Sequence, residues 1–232
     1  MENDRVAINY SGYSLLRLSE KYLHNYNRSI ADRFVKHISV GYDVLDFGAG
    51  IGTLSSLVRE KAVAPLCLEI DPGQAEILRR RGFTVVTSLD DIADSSLDVI
   101  YSSNVLEHIE DDASTLACLY QKLRTGGKLC LYVPAFDCLY SSMDKTVGHF
   151  RRYTKATLRE KLKAAGFKTL TSSYADSLGF VTTVIFKLLK FKDGVNPTTL
   201  VIFDRYIFLF TQAIERVFDL PFGKNVYTIS EK

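Results

Sequence analysis

Asp46, three glycines at alternate positions (Gly48, Gly50 and Gly52) and Glu69 follow one another along a short reach of this chain. Alternating glycines let a backbone turn sharply and come close to a ligand, beside the start of a helix. An acid about 20 residues on, ending the next strand, can accept hydrogen bonds from both hydroxyls of an adenosine ribose. Two ligand chemistries meet these requirements. A dinucleotide site wants G-x-G-x-x-G/A, but Thr53 holds the third small position here and an extra glycine stands at 52. Asp46 also sits at the strand end before the turn, where its charge would repel a pyrophosphate. The same charge suits a ligand carrying an ammonium and a sulfonium.

A second stretch, DKTVGHFRRYT (144–154), concentrates His149, Arg151, Arg152 and Tyr153. A histidine titrates near neutrality and suits a general base. Guanidiniums suit a carboxylate or phosphate clamp. Tyr153, with Tyr140 just upstream, suits stacking or hydrogen bonding to an acceptor. His149 is the candidate catalytic base, and Tyr140, Arg151, Arg152 and Tyr153 are the candidate substrate-binding residues. The plainer alternative is a helix start whose arginines pair with nearby acids. His108, in Leu106–His108, reads more simply as a structural histidine. No cluster has metal-ligand spacing in the sequence, so no metal is expected.

The elements that must position these groups alternate regularly. Apolar strands are expected at 43–47, 65–70, 83–86, 97–103 and 126–134, with helices at 53–61, 72–81 and 111–123. This order predicts an α/β fold, a doubly wound Rossmann-like sheet. Two helices precede it, at 14–24 and 29–38, with a break at HNYNR. A helix at 155–165, a sixth strand at 167–175 and a seventh at 225–232 follow. The chain reads as one domain: an N-terminal helical cap (1–40), a cofactor-binding core (41–176), an apolar helical insertion (178–222) and a last strand (225–232).

Hydrophobic residues make up 47% of the 232-residue chain and the formal net charge is +2, so no global field points to nucleic acid. No signal-peptide pattern and no CxxC pair occur. Cys67 and Cys130 sit in apolar runs and are expected to be buried free thiols, which fits a cytoplasmic protein.

VLDFGAGIGTLS, LEIDP, SLDVIYSSNVLEHIEDD, GGKLCLYVP and AAGF, spanning roughly 40–176, together resemble class I S-adenosylmethionine-dependent methyltransferases, specifically the small-molecule type 11/12 group. The resemblance implies a seven-stranded sheet, mostly parallel, with an antiparallel last strand. It implies S-adenosylmethionine as cofactor and S-adenosylhomocysteine as product. Asp46 and the Gly48, Gly50 and Gly52 backbone would line the methionine end. Glu69 would take the ribose and Ile70 the adenine face. Ser88, Leu89 and Asp90 would border the adenine edge, Ser103 and Asn104 would lie under the methionine moiety, and Tyr26 or Asn27 would close the site.

The insertion reads as two helices, 178–191 and 198–220, with Asp204, Arg205, Gln212, Glu215, Arg216 and Asp219 on one side. Its apolar face needs a cover. A lid over the active site or a wall of the acceptor pocket is the leading reading, with a homodimer contact and a peripheral membrane contact as alternatives. The expected activity is O-methylation of a small molecule with an apolar body and an anionic group. N- or C-methylation of a glycolipid, sugar or quinone-like acceptor, and a non-catalytic cofactor-binding subunit, are the alternatives.

Overall fold

A computed structural model describes residues 12–188 and 197–232. Helices α1 (Gly12–Tyr22) and α2 (His24–Val35) come first, then β1 (Val44–Phe47), α3 (Thr53–Lys61), β2 (Leu66–Leu68), α4 (Pro72–Arg80) and β3 (Val85–Val86). Next are β4 (Leu97–Ser103), α5 (Asp112–Lys122), β5 (Leu123–Pro134), α6 (Ser142–Thr146), α7 (Lys155–Ala164) and β6 (Lys168–Ala175). The insertion holds α8 (Ser177–Leu188), α9 (Pro197–Ile202) and α10 (Phe208–Glu215), the last two joined by a π-helical turn at Phe203–Ile207. The chain closes on β7 (Asn225–Glu231). Of the expected 178–191 helix, residues 189–191 lie outside the described residues.

The seven strands lie in the order β3-β2-β1-β4-β5-β7-β6. The pairs from β3 through β5 are parallel, and β7 runs antiparallel between β5 and β6. Strand order reverses between β1 and β4, so the crevice beyond their carboxyl ends is where such a sheet receives a ligand. Side chains alternate between the two faces. Leu45, Phe47 and Ile100 pack with Leu116, Leu119 and Leu158 from α5 and α7. Val44, Val99 and Tyr101 pack with Ile30, Phe34 and Val58 from α2 and α3. Both faces are covered, and Cys67 and Cys130 are buried free thiols within them.

The break between the first two helices falls at Leu23, and HNYNR starts α2 instead of interrupting it. The cause is distant in sequence. Asp204 of the insertion is buried and accepts the Asn25 and Tyr26 backbone N–H groups at 3.0 and 2.9 Å. These are first-turn donors that no residue of α2 itself satisfies. Glu215 likewise accepts the Ser177 N–H of α8 at 2.8 Å. Two of the insertion's charges are therefore internal caps, while Arg205 and Arg216 remain exposed. Among the described residues, no helix is long and apolar enough to cross a membrane.

Candidate cofactor and acceptor site

The glycine turn after β1 has the geometry its residue types require. Gly48, Gly50 and Gly52 all have positive φ, at 76°, 58° and 83°. A Cβ on Gly48 would collide with the Val105 side chain, and one on Gly52 would lie 2.7 Å from Leu78. The turn is thus wedged between the loop after β4 and the helix after β2.

Glu69 ties the turn to the second strand. Its carboxylate accepts the Gly50 N–H at 2.7 Å on one oxygen and the Asp71 N–H at 2.9 Å on the other. Each oxygen keeps a lone pair, so the anchored carboxylate can still accept ribose hydroxyls. Ile70 beside it is 77% exposed, an unburied apolar surface at the mouth of the crevice. Ser88 caps the turn after β3, accepting the Asp90 N–H at 3.1 Å, with Leu89 packed on the core and Asp90 exposed. Ser103 and Asn104 end β4, where Asn104 takes the left-handed conformation at φ 54° and donates from Nδ2 to the Ser103 hydroxyl at 3.1 Å. The structure therefore brings the glycine turn and the β4 end together through Gly48 and Val105.

Asp46 stands on the α3 face of the sheet, opposite Tyr101 in register. It is buried and accepts a hydrogen bond from the Ser55 hydroxyl at 2.5 Å. Burial pushes its carboxyl up to about 7, against the lowering effect of Ser55. Asp46 lies behind the turn, enclosed beneath the first turn of α3. Sequence reasoning missed residues that close on the turn from outside. Leu16 of α1 and Gln74 of α4 approach Gly50, and Glu20 joins Arg81 at 2.6 Å and Thr53 at 3.4 Å. No sequence signal marks them, because α1 is contacted across the fold. Tyr26 and Asn27 fall in the cap itself. Tyr26 packs edge-on against Tyr132 and Phe208, and Asn27 clasps Ser19.

The second stretch forms a network of internal pairs. Arg152 makes two bonds to Asp144, at 2.9 and 3.1 Å, and a third to the Ala135 carbonyl. Arg151 reaches Asp112 at 3.0 Å and the carbonyls of Ile109 and Glu110. The anion clamp expected of these arginines is corrected by this geometry: each guanidinium already holds its own carboxylate, and the two carboxylates are different. Tyr153 is also reassigned. It is 1% exposed, with its hydroxyl 2.9 Å from Asp112, so it belongs to the core. Tyr140 donates its hydroxyl to the His149 carbonyl at 2.7 Å and so fixes the loop.

His149 joins this network through Nδ1, 2.8 Å from Asp144. Burial alone would raise the Asp144 carboxyl, but His149 and Arg152 outweigh it and hold it well below the usual range. An ionised Asp144 accepts only, so Nδ1 carries the proton and Nε2 faces the other way, 3.8 Å from Glu107 Oε1. Glu107 is fully buried and neither of its oxygens has a hydrogen-bond partner. Burial pushes it up to about 8. His108 stacks edge-on against His149, ring centres 4.5 Å apart.

Residues 19–172, more than half of the chain, match the model of a family described as a methyltransferase domain. The chain belongs to this methyltransferase family. A probable S-adenosylmethionine-dependent methyltransferase of Mycolicibacterium smegmatis is 29% identical over 139 residues, covering 57% of this chain and 54% of that protein. A malonyl-[acyl-carrier protein] O-methyltransferase of Serratia marcescens is 33% identical over 92 residues, covering 38% of this chain and 36% of the relative. The chain thus spans about half the length of the first of these relatives and about a third of the second. The crystal structure of a SAM-dependent methyltransferase from Archaeoglobus fulgidus shares the fold at a TM-score of 0.67, with 20% identity over 95% of this chain and 99% of that one.

Proposed function

We propose that this chain binds S-adenosylmethionine and transfers its methyl group to an oxygen of a small molecule with an apolar body. The observation that carries the cofactor half is the Glu69 carboxylate, anchored on the Gly50 N–H beside a turn of three positive-φ glycines. When bound, the cofactor supplies a methyl group already activated by its sulfonium. The protein's work is then alignment and exclusion of water. Glu69 would orient the ribose, Ile70 would cover the adenine, and Asn104 with Ser103 would support the methionine end.

The acceptor half rests on the loops after β4 and β5. Phe136 follows β5 with φ 59°, stacks on Tyr174 at 4.7 Å and meets Phe180 of α8 edge-on. Lys187 of α8 donates to the carbonyls of Cys138 and Tyr140, strapping the insertion to the same loop. This supports the insertion as a wall of the acceptor pocket and an apolar acceptor body. The O-methyltransferase name of the Serratia relative supports oxygen as the methylated atom. Incubation with labelled S-adenosylmethionine and a panel of hydroxylated aromatic and lipid acceptors tests the reading. Label should pass to a hydroxylated acceptor with stoichiometric S-adenosylhomocysteine. Transfer to amines alone would overturn the oxygen assignment, and no transfer to any acceptor class would favour a non-catalytic cofactor-binding subunit.

A further inference from the structure

We propose that the outward face of the helical insertion docks on an anionic membrane surface. The helical run that starts at Pro197 and ends in the turn after Glu215 carries two opposite faces. Asp204, Phe208, Thr211 and Glu215, at helical spacing, point inward: the first three are buried, and Glu215 accepts the Ser177 N–H. Tyr206, Phe210 and Val217 stand on the other side, 70%, 62% and 74% exposed. Ile202 and Leu209 are exposed with them. The usual order of a surface helix is therefore inverted, with its acids toward the protein and its large apolar side chains toward solvent. Helix α8 adds exposed apolar residues of its own, Val181 and Ile185, one turn apart.

Charge decides what covers this face. Asp204 and Glu215 are turned inward, as caps on α2 and α8. Arg205 and Arg216 flank the apolar face, and both are exposed with no carboxylate partner among the described residues. Lys187 is a third exposed cation, its ammonium held at the Cys138 and Tyr140 carbonyls. Asp219 is the one exposed acid of 177–222 among the described residues. The outward charge is therefore net positive, beside exposed aromatic rings. That combination fits a helix lying in a bilayer interface, its apolar side in the headgroup–acyl boundary and its basic residues against anionic lipid. Tyr206 suits that boundary, with an apolar ring and a polar tip.

A second copy of the chain fits this face less well. A twofold interface presents one patch to itself, so the flanking arginines of both copies would meet with only Asp219 to offset them. Anionic headgroups supply the missing opposite charge. The contact is peripheral, because no helix among the described residues is long and apolar enough to cross a membrane. The inner side of the insertion is already fixed to the protein, by its two caps and by Phe180 against Phe136 at 5.4 Å. Docking of the outer side therefore requires no rearrangement of the core, and it is independent of the methyl-transfer reading.

Co-sedimentation of the full chain with lipid vesicles tests the surface without turnover. The chain should bind vesicles of phosphatidylcholine and phosphatidylglycerol in equal parts. Binding to phosphatidylcholine alone should be at least about 10-fold weaker, since each basic residue near an anionic surface contributes about fivefold. Replacing Tyr206→Ser together with Phe210→Ser should weaken binding at least about 10-fold on anionic vesicles. Replacing Arg205→Gln together with Arg216→Gln should weaken it about 10- to 25-fold there and leave the neutral vesicles unaffected. All four side chains are exposed, so both variants should melt with the wild type. The single variant Phe210→Ser keeps the test valid if a double variant melts early. No binding of the wild type to anionic vesicles, or wild-type binding by both double variants, would overturn the proposal. Light scattering addresses the other occupant: a dimer that Phe210→Ser splits would give the face to a second copy and overturn the membrane assignment.

Discussion

The Glu69 carboxylate accepts the Gly50 backbone N–H at 2.7 Å, so the acid of the second strand and the glycine turn of the first form one rigid unit. Glu69→Gln would replace an anionic acceptor with a neutral amide, weakening both this bond and any bond to ribose hydroxyls. Hydrogen bonds to charged groups contribute about 1.5–3 kcal/mol. Cofactor affinity should fall roughly 10- to 100-fold, measured by calorimetry with S-adenosylhomocysteine. Unchanged affinity would remove Glu69 from the site.

Gly48 faces Val105 across the crevice, with no room for a Cβ. Gly48→Ala should destabilise the fold by more than about 1 kcal/mol, through both the positive φ and the collision. Val105→Ala should recover the collision part only. The double variant should therefore lie between Gly48→Ala and the wild type in denaturant midpoint, a coupling a double-mutant cycle would resolve.

Much of this region was legible because residue type dictates it. Glycines at 48, 50 and 52 announce positive φ, and the helix at 53–61 and strand at 97–103 follow from periodicity. The internal partners were not legible. Asp112 reads as an ordinary helix-start acid, yet it holds Arg151, Lys161 and Tyr153. Glu107 and His149 are far apart in sequence and meet only because the loop after β5 folds back onto the β4 end, where the Phe150 N–H donates to the Glu107 carbonyl at 2.8 Å. Asp204 reads as a solvent-facing charge on an amphipathic helix, and its burial depends on where α2 begins.

Asp204→Ala should leave two first-turn donors of α2 unsatisfied. A lost cap costs about 1–2 kcal/mol. For a chain of this size the melting temperature should drop by roughly 2–8 °C. Asp204→Asn keeps one acceptor oxygen and should drop it less. Equal melting temperatures for Asp204→Ala and the wild type would show that the insertion does not cap α2 in solution.

Asp46 predicts a pH dependence in the cofactor-free protein. Its folded carboxyl titrates near 7, raised by burial, with Ser55 and Tyr101 lowering it and Glu69 raising it. An exposed carboxyl in the unfolded chain titrates near 4. Folding therefore favours the neutral form. The stabilisation is complete below about pH 4, declines as pH rises, and is lost above about 7. The melting temperature of Asp46→Asn relative to wild type should climb across that window and then level off. A difference constant with pH would contradict the burial of this carboxyl.

The turn at 48–52 and Glu69 should receive S-adenosylmethionine and not a dinucleotide. Calorimetric titration of the purified chain with S-adenosylmethionine and, separately, with NAD and NADP tests it most directly. Saturable one-to-one binding of S-adenosylmethionine, with no heat from either dinucleotide, is the expected result. Binding of a dinucleotide with none of S-adenosylmethionine would contradict it.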